Sequence, residues 1–418
     1  MQHVYFIGIG GSGIGPLAML SLQAGYKVSG SDNNESDYID KLKSKGVENI
    51  STVQDGSHLN AVHTSSPIDI VIRSSAVPDY NPDVVAANQL NIPVKKRDDL
   101  INKVLEDSGQ KMIAVAGTHG KTTTTAMVIW MFKELGIPVS YSVGAKLPFG
   151  HMGEFDAKAE YFIYEADEYD RNFLSFKPYM SLISGIGYDH PDIYPTKDDY
   201  NSAFKEFIGK SEWTIAHEPD LKKLSIEADW HIFSPGEALK DAFDLTGQVI
   251  RENAQIVVQG VSELVKQPSK ELVSTMNRFP GISRRFEQIT KNVYSDYAHT
   301  PEKILGAIQI ASEISKDIIV VYEGLHNTRQ HFIISELHTL FHDAKKLYIA
   351  PSYLAREDES LELLTPEKLC QITTQPTDRS PVRLDDSLLE IIKGHAASGD
   401  LVLCLTAGGS GSLDEWLR

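Results

Sequence analysis

The sequence predicts an α/β protein of several domains built on largely parallel sheets, and three observations carry that prediction. Short apolar runs ending in Gly, Ser, Asp or His recur along the chain: VYFIGI, YKVSGSD, IDIVIRSSA, MIAVAGTHG, YFIYEADE, MSLISGIGYDH, DIIVVYEG, KKLYIAP and DLVLCLTAGG. Amphipathic segments follow many of them, as expected of strands covered on both faces by helices, with ligands collecting where strands give way to loops. At 418 residues the chain exceeds what one core ordinarily serves, and three domains is the expected number. Polar breaks at LEDSGQ (105–110) and ITKNV (289–293) set expected domains of 1–107, 108–290 and 291–418. The segment 214–247 fits the alternation poorly, with TIAHE and WHIFS as its strand candidates.

Composition narrows the partners. An excess of 57 acidic over 40 basic residues gives a formal charge of -17, which argues against nucleic acid and anionic lipid surfaces. Any phosphate site is therefore built locally. Cys370 and Cys404 show neither metal-type spacing nor a disulfide framework, and read as buried thiols in a reducing cytosol. The N-terminal MQHVYFIGIGG lacks a basic region, and no run reaches the roughly eighteen apolar residues of a spanning helix. A cytoplasmic protein, neither exported nor inserted in a membrane, is expected.

The first strand runs into Gly8, Gly10 and Gly13 in a GxGxxG arrangement, followed by the helical pattern PLAMLSLQAG and a second strand ending at Asp32. Such glycines let backbone N–H groups approach a diphosphate at a helix N-terminus. The motif fits NAD and a sugar nucleotide alike, and a tight turn packing helix on strand would also use it.

A second loop follows the strand MIAVA: Gly117, Thr118, His119, Gly120, Lys121, Thr122, Thr123, and then AMVIWMFKEL. In a P-loop, backbone amides wrap the phosphates, the lysine neutralises β/γ oxygens and the next hydroxyl holds Mg²⁺, which here are Lys121 and Thr122. The strict GxxxxGK[ST] pattern fails, since Val115 stands where its first glycine belongs. One chain thus carries two phosphate loops, and a plain dehydrogenase needs only the first. Beside the P-loop the strand YFIYEADE ends in Glu165, Asp167 and Glu168, and the next ends in Asp189 and His190. A carboxylate near phosphates calls for a cation, which makes Glu165 the expected metal ligand; His190, a lone strand-end histidine of a kind that is often structural, is a functional candidate by its position.

GTHGKTTTTAM, with EADEYD, DHPDIYP, FPGISRRFE and SDYAHTPEK in this order, resembles the Mur ligase family over essentially the whole chain. The resemblance implies a Rossmann-like UDP-binding domain, a central P-loop ATPase domain with a mostly parallel sheet, and a C-terminal Rossmann-like domain that binds the amino acid. It implies ATP and two Mg²⁺ ions as cofactors, and UDP-N-acetylmuramate and L-alanine as small-molecule partners. Gly8, Gly10, Gly11, Gly13, Ser31, Asp32, Ser74 and Ser75 resemble the family's UDP site, so NAD is not required. Gly117, Thr118, His119, Gly120, Lys121, Thr122 and Thr123 would meet ATP, with Asn253 at adenine and Arg285 and Asp296 at the nucleotide. Thr122, Glu165 and His190 would hold metal, with Lys121, Glu165 and His190 as the catalytic group. Tyr297, His299 and Arg329 would meet the amino acid.

Two members of the family compete for the assignment, one adding alanine and one adding a recycled tripeptide to the same UDP-muramic acid. SRRF and GIGGSG resemble the former, whereas EADEYD, GLHNTRQ and the closing AGGSG resemble the latter. Alanine-adding members read the carboxylate of their amino acid with two arginines in a PHxxTRTR-like segment, of which His326, Thr328 and Arg329 remain. Departures from the family pattern are Val249 and Ile250 for a His-Asn pair, Gly185 and Gly187 for an asparagine and an acid, and a short central domain around 214–247. They raise a rival expectation, a binding protein without turnover.

Overall fold

The structure is a computed structural model that describes residues 2–74, 77–190, 193–239, 241–354, 357–358, 360–409 and 411–418; Ser75 therefore lies outside the described residues. Its strands form three sheets. The first holds β1 (His3–Ile7), β2 (Lys27–Ser31), β3 (Ile50–Ser51), β4 (Ile70–Arg73) and β5 (Val94–Lys96), all parallel, in the order β3-β2-β1-β4-β5. Strand order reverses at β1, the position at which doubly wound sheets open a crevice for ligand, and the first glycine loop leaves that strand.

The second sheet holds β6 (Lys111–Ala116), β7 (Val139–Ser142), β8 (Gly153–Glu154), β9 (Tyr161–Glu165), β10 (Met180–Ile183), β11 (Trp213–Ala216) and β12 (Ile232–Phe233). Their order is β12-β11-β10-β6-β9-β7-β8, and β8 alone runs antiparallel to its neighbour. β6 is flanked by β9 and β10, so the acids at the end of β9 and the loop after β10 both border the P-loop. Both strand candidates of the segment 214–247 form, as β11 and the two-residue β12.

The third sheet holds β13 (Glu287–Thr290), β14 (Val293–Asp296), β15 (Ile318–Leu325), β16 (Lys346–Tyr353), β17 (Arg379–Pro381) and β18 (Leu401–Leu405), in the order β13-β14-β18-β15-β16-β17. Only the β13–β14 pair is antiparallel. The α/β class with mostly parallel sheets is as the sequence predicts.

Residues 1–243 with 253–279 make one compact unit, and 244–252 with 280–418 another. Two sheets share the first unit because their covering helices bury one continuous core, running from Val4, Phe6 and Leu17 through Leu100 and Val104 to Met112, Phe162 and Phe204. Polar links reinforce it: Tyr164 Oη donates to Asp98 Oδ1 at 2.6 Å, and the Phe155 N–H to Gln23 Oε1 at 2.9 Å. Helix Lys121–Glu134 is buried on almost every side from Thr122 to Phe132. Burial on all sides offsets the poor helix propensity of its threonine run, and Thr125 returns its hydroxyl to Lys121 O at 2.8 Å. In the second unit, separate clusters around Val320 and Val321 cover the two faces of the third sheet. No helix among the described residues is long and apolar enough to cross a membrane.

Candidate active site

The P-loop follows the buried end of β6. Gly117 lies at φ +144, where L side chains are strained, and a Cβ there would sit 2.5 Å from Ser184 Oγ. Thr118 ties the loop to the segment after β10, its N–H donating to Gly185 O at 2.8 Å and its hydroxyl to Gly187 O at 2.6 Å. Two of the departures from the family pattern fall here. A Cβ at Gly185 or Gly187 would lie 3.4 or 3.1 Å from the His119 ring, so the glycines leave that ring room that larger residues would take.

Charges close up around Lys121. Its ammonium donates to Gly117 O at 2.7 Å and to Glu168 Oε2 at 2.5 Å, with Asp167 at 3.8 Å. Burial pulls the Lys121 pKa down, but Glu168, Asp167 and Glu165 together outweigh it and keep the ammonium protonated. Glu168 is fully buried; burial raises its pKa against the pull of Lys121, and its Oε1 has no hydrogen-bond partner among the described residues. Sequence reasoning noted Glu168 only as a strand-end acid. Only the structure separates it from its neighbours: at the turn after β9, Ala166 and Glu168 are buried while Glu165 and Asp167 are part-exposed.

Glu165 is held from two sides. Thr122 Oγ1 donates to its Oε1 at 2.7 Å, and the Gly144 N–H to its Oε2 at 2.7 Å. A hydroxyl and a carboxylate oxygen that converge in this way suit a hard cation. The described residues contain no group of three or more His, Cys, Asp or Glu that could cage a metal. Mg²⁺ commonly takes one or two protein oxygens and completes its shell with water and phosphate, so the Thr122–Glu165 pair fits it. His190, in the left-handed region at φ +57, turns Nε2 toward Glu168 Oε1 and Asp189 Oδ2, each at 3.8 Å. It thus neighbours Glu168, and no contact joins it to Glu165 among the described residues.

Asn253, on helix Gln248–Val265, is buried behind the same loop; a Cβ on Gly120 would lie 3.0 Å from both its amide oxygen and nitrogen. Its Nδ2 has no acceptor among the described residues, an unusual state for a buried donor.

The first glycine loop is shaped by its own backbone. The Gly8 and Ile9 N–H groups donate to Ser31 O at 2.8 and 3.0 Å, and the Gly11 N–H to Gly8 O at 3.0 Å. Asp32 Oδ2 accepts the Gly10 N–H at 2.9 Å, while Oδ1 accepts Asn33 and Asn34 N–H at 2.8 and 3.2 Å. Gly10 has no room for a side chain, since a Cβ would stand 2.6 Å from Ser36 Oγ. Ser31 turns its hydroxyl inward to Asp83 at 2.5 Å, and this fully buried carboxylate also takes the Gly56 N–H at 2.8 Å. Ser74 directly follows β4, its carbonyl accepting Val77 N–H at 3.0 Å. A cavity of about 250 Å³ separates the two loops, lined by Ser12, Gly13, Arg97, Lys121, Gly144, Glu165 and Asp167 among others. Arg97, in the charged run KKRDD, is not among the residues the sequence singles out.

In the second unit the residues predicted to meet nucleotide and amino acid gather at the end of β14. Arg284 and Arg285 stack on the Tyr297 ring at 4.8 and 5.1 Å. Asp296 Oδ2 accepts the Phe286 N–H at 2.7 Å, and burial pushes its carboxyl up to about 6 against the pull of Arg285. Burial, with Lys303 next and then Arg329 and Arg285 among the opposing charges, pushes the His299 imidazole down to about 3. Arg285, Asp296, Tyr297, His299 and Arg329 therefore form one neighbourhood, to which Lys303 adds a cation the sequence reading did not single out. Residues 284 and 286, on either side of Arg285, have positive φ, and so does His326.

Known proteins give the same picture. Residues 3–108 match the Mur ligase family catalytic domain and residues 115–215 the Mur ligase middle domain. The UDP-N-acetylmuramate--L-alanine ligase of Clostridium acetobutylicum is 30% identical over 446 residues, covering 97% of this chain and 95% of the relative. That of Clostridium perfringens is 29% identical, with the same coverage. Among solved structures, UDP-N-acetylmuramate-alanine ligase of Thermotoga maritima aligns with a TM-score of 0.75 at 21% identity, covering 100% of this chain and 98% of the other. A murein peptide ligase of Psychrobacter arcticus aligns with a TM-score of 0.65 at 20% identity, covering 100% and 97%. With sequence similarity that spans nearly the whole length of both proteins, and with a P-loop, carboxylate and glycine loop in the expected places, the chain belongs to the Mur ligase family.

Proposed function

We propose that this chain is an ATP-dependent ligase that joins L-alanine to the lactyl carboxylate of UDP-N-acetylmuramate in peptidoglycan synthesis. The observation that carries the reading is the cavity shared by the two loops: Lys121 and Glu165 line it from one side, and Ser12 and Gly13 from the other. Two phosphate-bearing substrates can meet there. The choice of alanine rests on relatives of that name at 29–30% identity along nearly the full chain.

A carboxylate does not react with an amine unaided, because oxide is a poor leaving group. Transfer of the γ-phosphoryl group of ATP to the carboxylate oxygen gives an acyl phosphate. The alanine nitrogen then attacks the acyl carbon, loses a proton, and inorganic phosphate departs. Catalysis of such a transfer is chiefly positioning and charge neutralisation. Lys121 would hold the phosphate charge, and Thr122 and Glu165 would hold Mg²⁺, which when bound neutralises phosphate oxygens. Asn253 would support the ATP side from behind Gly120. Arg285 and Asp296 would serve the nucleotide, and Tyr297, His299 and Arg329 the alanine, for whose carboxylate a guanidinium suits planar pairing.

The test is phosphate release with UDP-N-acetylmuramate, ATP and Mg²⁺, with L-alanine or the cell-wall tripeptide as the amine. Turnover with alanine is expected. Turnover with the tripeptide alone would replace the alanine assignment with peptide recycling, a reading that the single arginine of GLHNTRQ favours. Substrate binding without phosphate release would leave a non-catalytic binding protein.

A further inference from the structure

We propose that Arg97 grips the diphosphate of the UDP-linked substrate, supplying the cation that the first glycine loop lacks; the inference rests on the functional reading above. Arg97 opens helix Arg97–Ser108 immediately after β5, and its guanidinium reaches across to the glycine loop, where a Cβ on Gly13 would lie 3.8 Å from Nη1. It lines the cavity between the loops together with Ser12, Gly13 and Lys121.

What distinguishes Arg97 is that its donors are uncommitted. Among the described residues its guanidinium makes no hydrogen bond and no ion pair, although the carboxylates of Asp98, Asp167 and Glu165 are close enough to hold its proton more firmly. Those acids have other partners: Asp98 accepts the Tyr164 hydroxyl, and Glu165 is held by Thr122 and Gly144. Five N–H donors in a partly buried cavity, without an acceptor from the protein, are matched by the oxygens of a bound anion. The loop itself offers amides and the Ser12 hydroxyl, and the charged side chain bonded to it, Asp32 after β2, is negative. In a chain of net charge -17, a diphosphate in that loop needs a nearby cation, and Arg97 stands against Gly13.

The experiment is calorimetry on the full chain with UDP-N-acetylmuramate, with UDP and with ADP, for wild type, Arg97→Ala and Arg97→Lys. For Arg97→Ala, affinity for UDP and for UDP-N-acetylmuramate should fall in parallel by about tenfold to a hundredfold, the range of charge-assisted contacts. Arg97→Lys should recover part of it, since a point charge lacks the bidentate fork. ADP affinity and melting temperature should not change, because no internal partner is lost. Unchanged affinity for both uridine ligands would overturn the inference. So would a loss confined to UDP-N-acetylmuramate, which would put Arg97 on the carboxylate, or one confined to ADP. A wild type that binds neither uridine ligand would overturn the functional reading, and the inference with it.

Discussion

The two glycine loops of the first unit handle charge in opposite ways. At the P-loop each charged group is already engaged: Lys121 by Glu168, and Glu165 by Thr122 and Gly144. At the first loop the carboxylate of Asp32 is engaged by three backbone amides, while the guanidinium of Arg97 is engaged by nothing within the described residues. A nucleotide arriving at the P-loop must therefore exchange partners, drawing Lys121 from a buried carboxylate. A diphosphate arriving at the first loop breaks no ion pair. The first loop is preformed for its ligand, and the P-loop is preformed around its own counter-ions.

The sharpest way to break this comparison is Lys121→Ala. Turnover should fall by about 10²–10³-fold, the usual consequence of removing one group that stabilises transferred charge. UDP-N-acetylmuramate affinity by calorimetry should stay within about twofold, since the first loop does not use Lys121; a loss of affinity to match the loss of turnover would show that the loops act as one site. The same substitution leaves Glu168 buried and unpaired, at a stability cost of about 3–5 kcal/mol. Adding Glu168→Gln should restore most of the melting temperature and none of the turnover. Stability that did not recover would mean that the pair is not what Lys121 contributes to the fold.

Glu165→Gln comes next. It removes one anionic oxygen from a site for a hard cation while keeping shape and an acceptor. The Mg²⁺ concentration for half-maximal rate should rise at least about tenfold. A Mg²⁺ titration that superimposes on wild type would reduce Glu165 to a strand-end charge tied to Thr122.

The contrast between the loops also explains what could be read from the sequence. The nine apolar runs became strands because parallel sheets covered on both faces need continuous apolar segments, which show without any partner. GTHGKT was legible despite Val115, because the fold depends on Gly117, Gly120 and the strand-to-helix turn rather than on the first consensus glycine. Hidden from sequence were pairings between distant segments. Ser31 was read as a ligand residue, yet its hydroxyl faces Asp83, 52 residues away. Arg97 lies in the charged run KKRDD, and only the fold brings its guanidinium to Gly13. Glu165 and Glu168 are three apart in one motif, and the turn after β9 sends one to Thr122 and the other to Lys121.

A smaller effect tests how tightly the P-loop side is set. A Cβ at Gly144 would lie 2.9 Å from Glu165 Oε2, so Gly144→Ala must push the carboxylate by a few tenths of an ångström. If a displacement of 1 Å can cost about a hundredfold, this one should raise the Mg²⁺ requirement about threefold to tenfold and leave UDP-N-acetylmuramate binding alone. Unaltered Mg²⁺ dependence would mean that Glu165 relaxes freely and is not held in place by Gly144.

The smallest expected effect belongs to the first loop, where ordering rather than charge is at stake. Asp32 is the mirror image of Glu165: its oxygens take the Gly10, Asn33 and Asn34 N–H groups, fixing the loop before any ligand is present. A ligand anion cannot gain from a second negative charge beside it, so the benefit of Asp32 must come from preorganisation, set against some repulsion. Asp32→Ala should therefore weaken UDP-N-acetylmuramate by only about threefold to tenfold, near the net worth of one or two hydrogen bonds. Asp32→Asn removes the charge but keeps only part of the ordering, because its single amide oxygen can accept either the Gly10 N–H or those of Asn33 and Asn34. If preorganisation dominates, the asparagine variant should bind UDP-N-acetylmuramate between the alanine variant and wild type, and ATP affinity should stay level in both. An asparagine variant as weak as the alanine variant would show that the charge itself contacts the ligand, as an acceptor for a ribose or uracil donor, and that the first loop, like the P-loop, works through a charged side chain.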